Sequence, residues 1–135
     1  IRHIQFAVRP EEDAKAIDAY LSSLTPVRGP AGNPAAIARG EKLFVKARCD
    51  KCHPAPLFTD LKSYDVGVGR GLDADRPLDT PTLVEIWRTA PYLYDGRAAN
   101  LRSVLTTDNP DDRHGKTKDL TTEEIDDLVE FLQSL

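Results

Sequence analysis

At 135 residues and a formal charge of −4, the chain is long enough for one domain with a real core and too acidic for nucleic acid to be its main partner. Apolar residues make up 40% and charged residues 30%, an ordinary globular balance. No apolar run approaches the roughly 20 residues of a membrane-spanning helix. Ile1-Arg2-His3-Ile4 is not a charged stretch followed by an apolar one, as a secretory leader would be, so the chain reads as a mature product or an excised fragment.

Residues 10–24 carry a helical pattern. Pro10 suits a first helical position, Glu11, Glu12 and Asp13 complement the helix dipole, and Ala14, Ile17, Leu21 and Leu24 form one apolar stripe. Thr25-Pro26-Val27-Arg28-Gly29-Pro30-Ala31-Gly32 breaks the pattern as a linker. A second helix starts with Asn33 as cap and Pro34 at the first position, and Ala36, Gly40, Leu43, Phe44 and Ala47 line its inner face.

That helix delivers the chain to Cys49-Asp50-Lys51-Cys52-His53. C-x-x-C-H is the attachment signature of a c-type haem: two thiols on one turn reach both vinyl groups of a porphyrin, and the adjacent imidazole binds its iron from below. The chain has two cysteines, both inside the motif, and three histidines. A zinc site would need a second ligand pair downstream, a redox C-x-x-C would follow a strand, and a disulfide across two residues closes almost no loop. The motif therefore predicts one covalent haem c, anchored by Cys49 and Cys52, with His53 as proximal ligand.

From Pro54 to Leu78 no periodicity survives, and Pro56, Gly67, Gly69, Gly71 and Pro77 mark a long loop of the kind that wraps a cofactor. Thr80-Pro81 or Thr82-x-x-Glu85 is expected to open a short helix carrying Leu83, Val84 and Trp87, and another is expected from Asn100 with Leu101, Val104 and Leu105 inward. A polar loop from Thr106 to Asp119 holds His114. Thr121 and Glu124 form a capping box before a last helix with Ile125, Leu128, Val129, Leu132 and Leu135 buried and Phe131 on the flank; Leu120 and Ile125 occupy the staple positions. No stretch reads as a strand, and the residues before Pro10, if extended, have no evident partner.

A shift of 111 residues lays Arg2-His3 on Arg113-His114, Glu12 on Glu123, Leu21 on Leu132 and Ser23-Leu24 on Ser134-Leu135. Residues 1–33 are accordingly read as the helical tail of an upstream domain of the same type plus its linker, and residues 34–135 as a mono-haem domain. An independent helix packed on that domain is the alternative.

Gly40 and Phe44 ahead of C-x-x-C-H, the wrapping middle and a last helix ending Phe131-Leu132 together resemble a class I cytochrome c domain. Thr80-Pro81-Thr82-Leu83 with Ala90-Pro91-Tyr92-Leu93-Tyr94-Asp95-Gly96 resembles, more specifically, the C-terminal haem domain of bacterial di-haem cytochrome c peroxidases and the methylamine-utilisation di-haem enzymes. The resemblance implies an all-α fold in which first and last helices cross through a small residue and an aromatic, with long haem-wrapping loops plus an N-terminal helical extension. It also implies a periplasmic or exported setting, where such haems are attached, and a redox partner protein or neighbouring haem domain. Tyr94 stands where those enzymes commonly have histidine, and Phe44 lies one residue further from the first cysteine than is commonest.

Methionine is absent, so the iron cannot have the His/Met pair common in electron-transfer cytochromes c. His114, in the loop before the last helix, is the leading sixth ligand; a solvated loop histidine is the second reading, and Tyr94 is a further candidate. Two strong ligands would give electron transfer at comparatively low potential; an open or Tyr-ligated iron would suit a peroxidase-like oxidoreductase. Arg97 could hold a haem propionate or pair with Asp95, and Trp87 could donate to a propionate or belong to the core. Lys42, Lys46, Arg48 and Lys51 surround the motif and could steer an acidic redox partner, or simply form a solvated face.

Overall fold

A computed structural model describes residues 10–135 and, of residues 1–9, the backbone of His3–Ile4 and Ala7–Val8 alone. Those two pairs, β1 (His3–Ile4) and β2 (Ala7–Val8), run antiparallel with His3 opposite Val8, so the partner that the sequence did not reveal is the same short segment folded back. Arg2 and the side chain of His3, on which the repeat partly rests, lie outside the described residues.

Helix α1 (Glu11–Ser23) begins with its three acidic residues and has Pro10 at the cap, one position earlier than expected, without a side-chain cap bond. Of its apolar stripe only Ala14 is buried; Ile17, Leu21 and Leu24 are 37, 52 and 54% exposed. Among the described residues α1 packs against no other helix.

The proline- and glycine-rich run after α1 is pressed onto the body of the molecule. A Cβ on Gly29 would stand 2.0 Å from the Gln133 carbonyl oxygen, so only glycine permits this approach. The Val27 N–H donates to the Glu85 carboxylate, and the Asn33 N–H reaches Glu130 Oε2 at 3.4 Å. The segment is a strap.

Helices α2 (Pro34–Lys46) and α4 (Thr122–Gln133) form the frame. Asn33 Oδ1 caps α2 by accepting from Ala35 and Ala36 N–H at 3.0 and 3.3 Å. At α4 the Glu124 N–H donates to Thr121 Oγ1 at 3.2 Å, and the Thr121 N–H to Glu124 Oε2 at 2.9 Å, completing the box. The two helices cross at Gly40, where a Cβ would lie 2.0 Å from the Asp127 carbonyl oxygen and 2.6 Å from Phe131 Cβ. Phe44 meets Phe131 edge-on at 5.4 Å between ring centroids, so the crossing runs through a small residue and an aromatic. Arg39 clamps Asp127 through two nitrogens at 2.6 and 2.7 Å, and this hydrogen bonding holds the Asp127 carboxyl below its usual range.

Leu128, fully buried, sits at the centre of the core with Leu43, Phe44, Leu101, Leu105, Ile125 and Leu132 around it. Burying such a leucine is worth about 1.5–3 kcal/mol. The short helix α3 (Leu101–Leu105) supplies two of these residues and is capped by Asn100 Oδ1, which accepts from Ser103 N–H at 2.9 Å. Strands β3 (Ser63–Tyr64) and β4 (Leu78–Asp79) pair antiparallel and close the long middle loop at its base.

One expected helix does not form. In place of a helix opened at Thr80 or Thr82 there is a 3-10 turn at Ile86–Arg88, preceded by Glu85 in the left-handed region at φ 62°. Thr82 Oγ1 donates to the Leu57 carbonyl at 2.6 Å while accepting from Val84 N–H, and the Glu85 carboxylate goes to Val27 and Arg88. The capping groups are thus committed to tertiary partners. Here the local signal loses to tertiary hydrogen bonding.

Candidate cofactor site

Past the end of α2 the chain makes a 3-10 turn over Cys49–Lys51, with Arg48 left-handed at φ 64° immediately before it. The His53 N–H donates to the Cys49 carbonyl at 2.8 Å, so thiols and imidazole leave one compact turn.

His53 is 8% exposed, and its Nδ1 lies 2.9 Å from the Phe58 carbonyl oxygen. A carbonyl can only accept, so Nδ1 carries the proton and the lone pair is left on Nε2, the tautomer that a metal requires. Burial pushes the pKa of His53 down, in keeping with a neutral ring. The carbonyl is itself held: Thr82 Oγ1 donates to Leu57 and Thr59 Oγ1 donates to Thr80, both at 2.6 Å, tying the segment around Phe58 to the Thr80–Thr82 segment.

Beside this turn opens a cavity of about 750 Å³, lined by both cysteines, His53, Tyr94 and His114 and otherwise mainly by apolar side chains such as Leu83 and Leu101. His114 stands opposite His53: the ring centroids are 6.5 Å apart and the planes tilted by 48°. Burial pushes His114 down to about 4, with the neighbouring His53 adding to the shift, and its buried Nδ1 has no hydrogen-bond partner.

The Cytochrome c family matches residues 37–135. The chain belongs to the cytochrome c family. Among its relatives, the hydrazine synthase subunit gamma of Kuenenia stuttgartiensis is 32% identical over 72% of this chain and 40% of that protein. The cytochrome c551 peroxidase of Nitrosomonas europaea is 30% identical over 71% of this chain and 33% of that protein. A solved structure of K. stuttgartiensis hydrazine synthase superposes with a TM-score of 0.78 at 27% identity, covering 95% of this chain and 56% of that one. This cytochrome c domain thus spans less than half the length of these two relatives, and the resemblance to the di-haem cytochrome c peroxidase family is borne out.

A cytochrome c domain implies covalently bound haem c, and the residues present fit that group. Two imidazole nitrogens bound on opposite sides of one metal, each about 2 Å from it, put their ring centroids roughly 6 Å apart, close to the spacing of His53 and His114. Burial, followed by the charge of Asp50, pushes the Cys49 thiol up to about 12, and burial raises Cys52 as well. Among the described residues no set of three His, Cys, Asp or Glu side chains converges as a zinc site would require.

The remaining sequence candidates fall in different places. Tyr94 lines the cavity but is 45% exposed, and its hydroxyl accepts from the Arg70 N–H at 3.1 Å. Arg97 does not line the cavity: its guanidinium pairs with Asp95 at 2.6 Å and Asp108 at 3.2 Å and donates to the Val68 carbonyl at 2.6 Å. Trp87 is half-buried outside the lining, with its Nε1 buried and partnerless and the Arg88 guanidinium 6.0 Å from the ring centroid. Of the four basic residues around the motif, Lys46 pairs with Glu124 and Lys51 with Asp50. Sequence reasoning missed Phe58, because the group that matters there is a backbone carbonyl, and Asn109, whose place before Pro110 reads only as a turn.

Proposed function

We propose that the chain is a mono-haem electron-transfer module, with haem c on Cys49 and Cys52 and its iron held between His53 and His114. The observation that carries this reading is the facing pair of rings at 6.5 Å across an apolar cavity. The bound group supplies one-electron exchange at iron. Around it, His53 is held in its ligating tautomer, both imidazoles are kept neutral by burial, and mainly apolar side chains line the cavity. With imidazole rather than methionine on the distal side the potential is comparatively low.

The test is the absorption spectrum of both oxidation states in the wild type and in His114→Ala. Low-spin, six-coordinate spectra are expected for the wild type, with a shift to high spin and ready binding of carbon monoxide in the variant. Identical spectra for the two proteins would remove His114 from the iron. The competing reading, a peroxidase-like enzyme with an open or Tyr94-ligated iron, is favoured by the peroxidase relative. It requires turnover of peroxide with an electron donor.

The reading extends to the setting. Residues 1–33 are the closing helix and strap of a second haem-binding unit, supported by the match of α1 to α4 and by the exposed stripe of α1. The physiological partner is then that neighbouring haem unit or a separate redox protein with an acidic face opposite Lys42 and Arg48. Among the described residues no helix is long and apolar enough to cross a membrane. The reading of a periplasmic or exported setting is supported by where haem c is attached to such motifs.

A further inference from the structure

His114 enters the cavity from a loop, and its ring is tied to nothing: neither nitrogen has a hydrogen-bond partner among the described residues. His53 is pinned through its ring. Whatever fixes His114 must therefore act through its backbone. Asn109, only 5% exposed, does so with both ends of its amide. Oδ1 accepts from the His114 N–H at 2.9 Å, while Nδ2 donates to the Gly115 carbonyl and to Thr117 Oγ1, both at 3.0 Å. Thr117, 4% exposed, passes its own hydroxyl proton to the Leu105 carbonyl at 2.6 Å, anchoring the brace to the end of α3. A single orientation of the Asn109 amide satisfies this set, since one neighbour is a donor and two are acceptors. Just beyond, the Lys116 N–H donates to the Ala47 carbonyl at 2.8 Å, where α2 ends.

We propose that Asn109 is the positioning residue for the distal imidazole. It clamps the backbone on both sides of His114, and so sets how far the ring stands into the cavity and how readily it leaves the metal. The proposal rests on the reading of His114 as iron ligand. Groups that orient a metal ligand typically change its hold by about 10–100-fold when removed.

The experiment uses the haem-loaded chain and follows carbon monoxide binding to the reduced protein, together with the spin state of the oxidised one. In Asn109→Ala the rate, limited in the wild type by departure of His114, rises at least about tenfold, and the oxidised spectrum moves part-way toward high spin. Thr117→Val, which takes away one of the two acceptors of the amide, shifts both in the same direction by less. Rates and spectra equal to wild type in both variants overturn the proposal; if Asn109→Ala does not accumulate as a folded holoprotein, an unchanged Thr117→Val does so alone. His114→Ala separates this failure from that of the underlying reading. If it leaves the wild-type spectrum unaltered, His114 is not a ligand; if it alters the spectrum while the brace variants do not, only the role of Asn109 falls.

Discussion

Helices α1 and α4 follow one sequence pattern at a spacing of 111 residues, and the structure gives them bounds that match to within one residue but opposite surroundings. Ile17, Tyr20 and Leu21 are 37, 64 and 52% exposed, whereas their counterparts Leu128, Phe131 and Leu132 are 0, 7 and 5% exposed. The contrast has a plain cause. Helix α4 has α2 across from it, with Gly40 allowing the backbones to meet, and α1 has no such neighbour among the described residues. Amphipathic periodicity specifies that a face is to be covered and says nothing about what covers it.

Paired truncations break or sharpen that contrast most forcefully. Leu128→Ala is expected to lower the unfolding free energy by about 2–5 kcal/mol, and Ile17→Ala to change it by less than about 0.5 kcal/mol. Denaturant titration of the two variants reads both numbers. A comparable loss at Ile17 would mean that α1 is already partnered, and the contrast would vanish.

The helix starts give a smaller difference. Thr121→Ala removes a cap that accepts from Glu124 N–H and is expected to cost about 1 kcal/mol, whereas Pro10→Ala removes no side-chain bond and leaves the thermal midpoint within a degree or so. The smallest effect tests the strap that joins the two helices. Hydrogen bonds from Val27 N–H, then Arg88, hold the Glu85 carboxyl below the ordinary glutamate range. A lowered carboxylate pKa adds stability above the unfolded value and loses it as pH falls through the folded one. The Val27 amide resonance should therefore titrate below the ordinary glutamate range, and a midpoint within or above that range would show that the contact is not made.

Much of this was legible beforehand where chemistry is local. Asn33, Thr121 and Glu124 cap the helices as their types and spacing demand, and Cys49, Cys52 and His53 sit on one turn because five consecutive residues can hardly do otherwise. Gly40 was readable as a crossing point through the resemblance to class I cytochromes c, whose first and last helices cross at a small residue and an aromatic. Where a side chain had both a local and a distant use, the distant one was taken in place of the local one or beside it. Thr82 and Glu85 spend their capping groups on Leu57, Val27 and Arg88, and Arg97 finds Asp108 as well as Asp95. The Asn109 brace was unreadable for a related reason, since its partners are three backbone or hydroxyl groups that only the folded loop assembles.

The close approach of Gly29 to the last turn of α4 carries a mechanical consequence. A floppy tether would let α1 swing through a wide cone, and any separation measured across it would be an average over time. Gly29 packed against Gln133 anchors the chain to the body at that point, past the end of α1 and before it enters α2. A single methyl group at position 29 would meet the Gln133 carbonyl oxygen and lift that anchor without changing any residue of α1 or α4.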